Sequence, residues 1–447
     1  MTTETSGNGA PDRSPSDDRS APDITALSEA HQIFNHTYLS GVFFLLNAVP
    51  DIRLLFDGPS CGYDKAFLVS GTHDLFSRTF RFPARHRITC THVQADALVH
   101  DREQTILHVL EQVASADDAK LVLVAAMPMA SITGIDYEGI VSRAKSASTT
   151  PVAVVAEKSF RNDWLVGFDD ALCTLADQLV KAPSGGASRE DVAVVGYFLD
   201  RNEGDHVGNV AELRRVAEAL GLRLVSTWLD GSPTRELARI ARAGTIISLP
   251  YGRRAAKQIA DKTGAQLVEL DLPVGLRASR EWVGALGAAT GRRWEAKQFV
   301  AAELASAVPI LDVAVADYLQ GRRFAFNGDP FVGEAVIAAY EELGCTAAHA
   351  VIFGVKEACE RLVAKRRLDE VPTRYCARMS EILELDWADV DFVVGNSYVH
   401  YLVRLRDARK AYVELGFPSY RYHCFTHSPS WFFRGFVHLT NRVINEL

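Results

Sequence analysis

The chain has 447 residues, 48% of them hydrophobic, and a formal net charge of −8. Length alone suggests about three domains, and an acidic balance without a basic block argues against a nucleic-acid partner. Seven scattered cysteines, an odd number, do not suit a disulfide framework and point to a reducing, cytoplasmic setting.

Residues 1–24 are rich in Ser, Thr, Asp, Gly and Pro and are expected to be a disordered tail without an apolar signal-peptide core. No run approaches the roughly 18 apolar residues of a membrane span, the longest candidate being Gly41 to Val49, so no membrane partner is expected. From Ser28 the pattern predicts a helix to residue 48, a strand around Leu54, a helix after Cys61, and a further segment over Thr89 to His100. A helix over Arg102 to Ala114 and strands over Lys120 to Ala126 and Val152 to Ala156 complete a first α/β unit, residues 25–182.

The stretch Pro183-Ser184-Gly185-Gly186 reads as a linker. A second unit, residues 183–320, opens with the strand at Val192 to Val195. It continues through helix Val210 to Leu220, strands at Arg223 to Thr227, Thr245 to Leu249 and Gln266 to Leu270, and a long helical region from Glu281 to Tyr318. A third, residues 321–447, starts with a strand running into Asn327-Gly328-Asp329-Pro330. A helix over Val332 to Leu343 follows, then strands near His349 to Phe353 and Asp391 to Val394, and an aromatic-rich tail ending in a helix. Alternating strands and helices imply an α/β fold: three Rossmann-like domains with parallel sheets flanked by helices.

The stretch that most invites chemistry is Leu54-Leu55-Phe56-Asp57-Gly58-Pro59-Ser60-Cys61. An apolar strand ends in turn formers and delivers a cysteine where a helix can begin, at the carboxyl edge of a sheet, where ligands collect. Backbone N–H groups left open at such a helix start would favour a thiolate. A buried structural cysteine fits the same pattern. Gly196 and Gly328 follow strands without a full phosphate loop, and no Walker-type Gly-Lys-Ser/Thr occurs, so ATP hydrolysis by this chain is not expected.

The landmarks resemble, in order, those of the nitrogenase component 1 family, which includes protochlorophyllide and chlorophyllide reductase subunits. They are Asp57 to Cys61, Leu98 to Glu103, Ile132 to Asp136, Arg323 to Asp329, Gly395-Asn396-Ser397-Tyr398, Gly416-Phe417-Pro418 and Arg434-Gly435-Phe436. The resemblance implies a β-type subunit paired with a homologous α-type subunit in an α2β2 heterotetramer. It also implies an iron–sulfur cluster between the subunits, loaded by a separate ATP-hydrolysing iron–sulfur reductase homodimer, and allows a second metal cofactor in the partner. The expected activity is an oxidoreductase, active only with partner and reductase, acting on a tetrapyrrole double bond or an organosulfur C–S bond. The same fold also serves as a scaffold for cofactor assembly. A two-Rossmann nucleotide-sugar transferase is the reading outside the family.

Members with a large shared cluster supply three cysteines per subunit. Here the resemblance retains the second, Cys61; the third falls on Pro128, and the first falls near His36, which could ligate metal or be a helix-surface or core histidine. A thiolate-held cluster takes about four ligands, so the partner would supply the others, and a [4Fe–4S] cluster on Cys61 is the expected form. Cys90 lies near a position that does not normally ligate and is read as packing. His423 and His427, in His423-Cys424-Phe425-Thr426-His427, are candidates to face a substrate cavity. Cys345 and Cys359 read as core, and Cys376 has no visible partner.

Overall fold

The structure, a computed structural model, describes residues 35–70, 86–94, 96–145, 149–155, 162–182, 187–198, 205–362, 367–422 and 426–447. The expected tail 1–24, residues 28–34 of the expected first helix, the linker glycines and His423 lie outside the described residues; within them that helix begins only at Tyr38, after an extended Thr37, so His36 precedes it.

Three separate parallel sheets organise the chain. The first comprises β1 (Ile52–Asp57), β2 (Ile88–Cys90), β3 (Leu121–Ala126) and β4 (Val152–Val154), in the order β2-β1-β3-β4. Every residue of β1 and β3 is buried, as expected of strands covered on both faces. The second sheet, order β6-β5-β7-β8, comprises β5 (Ser188–Val195), β6 (Arg223–Thr227), β7 (Ala243–Ser248) and β8 (Gln266–Glu269). The third has β9 (Arg323–Gly328), β10 (Thr346–Ile352), β11 (Thr373–Tyr375), β12 (Phe392–Gly395) and β13 (Ala411–Glu414), in the order β11-β10-β9-β12-β13. The short edge strands β11 and β13 escape the sequence pattern because each is brief and bordered by charged or polar residues.

In each sheet the chain builds outward on one side of its first strand and then crosses to the other. The crossing creates a switch point between β1 and β3, between β5 and β7, and between β9 and β12, at the strands' carboxyl ends. These three crevices are where the fold can hold chemistry.

The expected long helix of the second unit is two helices, Leu276–Thr290 and Arg293–Ala314, parted at Gly291, whose φ of 75° suits a glycine C-cap. With its continuation to Leu319 the second is long and apolar enough to cross a membrane, correcting the reading that no such run exists. Its alanines and isolated acids hide the apolar run in the sequence. In the fold it packs against Leu276–Thr290 and against the C-terminal helix Phe432–Glu446, and its Glu303 is ion-paired to Arg215 at 2.7 Å.

The units are bound closely to one another. Helix Tyr38–Ala48 crosses helix Trp164–Leu179 at two glycines: a Cβ on Gly41 would stand 2.0 Å from the Trp164 carbonyl oxygen, and one on Gly167 equally close to that of Tyr38. Asp163 caps the second helix and also accepts from Val355 N at 2.6 Å, while Trp164 Nε1 donates to the Phe353 carbonyl at 2.8 Å, tying the first unit to the third. Tyr251 donates to Asp329 at 2.8 Å, tying the second to the third.

Candidate functional site

The switch point of the first sheet carries the Gly-Pro-x-Cys corner. β1 ends at Asp57, opposite Ala126 of β3, and the turn Gly58-Pro59-Ser60-Cys61 leads into helix Gly62–Ser70. Gly58 is held from both sides: its N–H donates to Thr91 Oγ1 at 3.1 Å, and its carbonyl accepts from Val93 N at 3.0 Å and Cys90 Sγ at 3.1 Å. The Met127 side chain lies over it, and a Cβ at Gly58 would come within 2.7 Å of Met127 Cγ. The glycine is therefore required by close approach.

Cys61 is exposed and in no disulfide. The expectation of open amides beside its sulfur is not met. Gly62 N, Tyr63 N and Asp64 N donate to the carbonyls of Pro59, Ser60 and Cys61 at 2.9–3.2 Å, so the tight first turn uses them internally. What the corner offers is an outward thiol on a rigid turn.

Cys90 is the inward counterpart. It is buried, its sulfur donates to Gly58 O and accepts from His92 N at 3.2 Å, and burial pushes its thiol up to about 11. At neutral pH it is a protonated clasp on the turn. Pro128, at the third family position, starts the short helix Pro128–Ser131 after β3, where its missing N–H costs nothing.

Beneath the turn, Asp57 has no exposed surface and accepts from Thr91 Oγ1 at 2.6 Å, Arg102 Nη1 at 2.7 Å and Tyr137 Oη at 2.5 Å. Burial pulls the Arg102 guanidinium down, and its bonds to Asp57 and Tyr137 more than offset this. The sequence reading passed over this network. Its signal was an acid at a strand's end, where an apolar run should continue.

His36 lies elsewhere, at the meeting of the three units. Its ring contacts Phe44, Tyr398 and Phe417, and burial, with the charge of Lys65, lowers its imidazole to about 4. Nε2 is buried without a hydrogen-bond partner. Around it Phe44, Trp164, Phe198 and Phe417 pack with ring centroids 4.9–5.6 Å apart, and Phe198 stacks on Tyr251. The void they leave is about 10 Å³, the space of a single water.

His427 is exposed. The segment after it docks on the second unit, where Asn209 Oδ1 accepts from Ser430 N at 2.9 Å and Trp431 N at 3.1 Å. Cys345 and Cys359 are buried, and burial raises both thiols; Cys376 is half-buried and within electrostatic reach of Cys359. Among the described residues no three His, Cys, Asp or Glu side chains converge to hold a metal. Cys61, exposed on its turn, would fit such a group as a single thiolate ligand.

Three Rossmann-like units sharing one interior, with an exposed cysteine on a Gly-Pro corner, define a three-domain α/β protein. Residues 39–447 match the family described as nitrogenase component 1 type oxidoreductase, and the chain belongs to that family. It is similar to nitrogenase molybdenum-iron protein beta chains. The chain from Bradyrhizobium diazoefficiens is 23% identical over 73% of this chain and 68% of its own length, and that from Methanothermobacter thermautotrophicus 25% identical over 83% and 85%. Among solved structures, one titled "Nitrogenase Cp1 at pH 6.5" superposes with a TM-score of 0.74 at 17% identity, covering 93% of this chain and 92% of that one. The chain is thus a β-type member of the family.

Proposed function

We propose that this chain is the β-type subunit of the catalytic component of a two-component, nitrogenase-like reductase. Cys61 gives one thiolate to an iron–sulfur cluster, probed best as [4Fe–4S], whose other ligands come from a homologous α-type subunit in an α2β2 assembly. When bound, such a cluster supplies one-electron chemistry at low potential. The residues of this chain hold one edge of that site: Gly58, Thr91 and Cys90 fix the turn, and Met127 lies over it.

The observation that carries the reading is the contrast between the outward Cys61 and an interior closed by aromatic rings. A chain whose central junction has room for one water offers no chamber there for an organic substrate or a metal cofactor. Reduction of a tetrapyrrole double bond or an organosulfur C–S bond takes place in the assembled complex, with an ATP-hydrolysing iron–sulfur reductase as electron donor. His36 serves in this reading as a neutral member of the junction, and His427 as a surface residue of the tail.

The test is the complex retrieved anaerobically by a tag on this chain from its native host. Native mass spectrometry should give a heterotetramer carrying iron, and the complex should turn over with its reductase, ATP and a reductant. A stable, iron-bearing monomer would defeat the proposal. A complex that holds metal, reduces nothing and passes its cofactor to another protein would identify an assembly scaffold instead.

A further inference from the structure

The turn that presents Cys61 rests on a charge pair larger than anchoring requires. Thr91 and Tyr137 already satisfy both oxygens of Asp57 with neutral donors at 2.6 and 2.5 Å. A guanidinium is buried there as well: Arg102 is 7% exposed, and its Nη1 reaches Asp57 Oδ1 at 2.7 Å. Burying two ions costs several kcal/mol in desolvation. Nε and Nη2 of Arg102 are also buried without a hydrogen-bond partner, although native interiors rarely leave donors unmatched.

The pair underlies the corner that carries Cys61: Thr91 Oγ1, which donates to Asp57 at 2.6 Å, also accepts from Gly58 N at 3.1 Å. Burial raises the Cys90 thiol most, the hydrogen bond from His92 N lowers it, and the charges of Asp57 and Cys61 then push it upward, so the end of β1 and the Cys61 turn share one field. Such a field is weakly screened where water is excluded.

We propose that Arg102 and Asp57 are a buried, opposed charge pair that sets the reduction potential of the group held by Cys61. This rests on the proposed role of Cys61. Arg102 is a positioning residue: it holds Asp57, and through Asp57 the base of the turn, while its positive charge favours the more negative, reduced state. Asp57 opposes it. The quantity concerned is a one-electron reduction in which no bond forms or breaks, the electron coming from the low-potential reductase.

The experiment is a dye-mediated redox titration, followed by low-temperature EPR, of the anaerobic tagged complex carrying the wild-type chain, Asp57→Asn, Arg102→Met or Arg102→Lys. Iron content is measured on each sample. Asp57→Asn, which leaves the guanidinium unopposed, should shift the midpoint to higher potential. Arg102→Met should shift it lower, and Arg102→Lys should stay near the wild type. Shifts of opposite sign are the signature, because a purely structural role would disturb both variants alike. Equal or absent shifts with iron retained would overturn the inference. Where one variant loses iron, the sign of the other decides, and loss of iron from all three marks the network as a fold element and also overturns it. A wild-type level of iron in Cys61→Ala would sink the reading beneath, separately from these outcomes.

Discussion

The three switch points of this chain have the same topology and opposite fates. In the second unit the crevice is sealed by backbone: Gly196, at φ 92°, lies against Gly252, and a Cβ on Gly196 would stand 2.5 Å from Gly252 N. In the third it is sealed by amide side chains, since Asn327 Oδ1 accepts from Asn396 N at 3.1 Å and from Tyr412 Oη at 3.0 Å across β9 and β12. The first alone among them ends in an outward thiol, Cys61. A Rossmann-like edge is a site only where its loop stands clear of the neighbouring unit. Packing three such units against one another brings backbone or amide groups together at two of the edges, while a cavity of about 490 Å³ remains between the second and third units beside Pro250, Arg253, Asp271 and Phe331.

The largest break in that comparison comes from Cys61→Ala. The side chain is exposed and in no disulfide, so the variant should fold and assemble with near-native thermal stability. Iron in the complex should nonetheless fall several-fold, with the EPR signal lost in proportion. A normal iron content would place the metal away from the open edge.

The closed interior is broken most directly by Phe44→Ala. Phe44 is 2% exposed and touches the rings of Trp164, Phe198, Phe417 and His36. Removing it opens a cavity among all three units, at an expected cost of about 3–5 kcal/mol, read from denaturant unfolding. Iron content per folded complex should change little. Equal losses of iron and stability would show that the interior and the corner are one site.

How much of this was legible in the sequence follows from range of interaction. The central strands β1, β3, β5 and β9 declare themselves locally, as apolar runs punctuated by turn formers, and so does the corner at Cys61. The edge strands β11 and β13 do not, because they are short and half polar. Nor does the sealing of the switch points, since Gly196 meets Gly252 and Asn327 meets Asn396 only after the chain has crossed its own sheet. The burial of His36 against Tyr398 and Phe417 belongs to the same class. So does the pairing of Asp57 with Arg102 and Tyr137, whose partners lie 45 and 80 residues away.

His36 sharpens the interior half of the comparison through pH. Its folded pKa of about 4 lies below the usual 6.5 because burial disfavours the charged ring. The unfolded chain therefore binds the extra proton first, and stability contributed by the neutral ring is fully present above pH 6.5 and lost as pH falls toward 4. At pH 5 the loss is roughly 2 kcal/mol. His36→Leu should flatten this part of the acid limb of stability against pH while leaving iron content intact at pH 7.5. A strong loss of iron at that pH would make His36 a ligand and bring the junction into the site.

The smallest expected effect compares two thiols of one corner. Cys90 donates to Gly58 O from beneath the turn, protonated at neutral pH, while Cys61 projects from its outer side. Cys90→Ala removes that clasp and a small volume from the first core, worth about 1 kcal/mol for a lost neutral hydrogen bond. Val93 N and Thr91 Oγ1 continue to hold Gly58 at 3.0 and 3.1 Å, so the turn should keep its shape. Thermal stability should drop by a few degrees, and iron content should stay within the scatter of the wild type. Cys90→Ser, which keeps a donor at the same place, should recover part of the stability. Loss of iron in Cys90→Ala to the level of Cys61→Ala would mean that the inner thiol turns outward in the assembled complex, and the division between a structural and a ligating cysteine would fail.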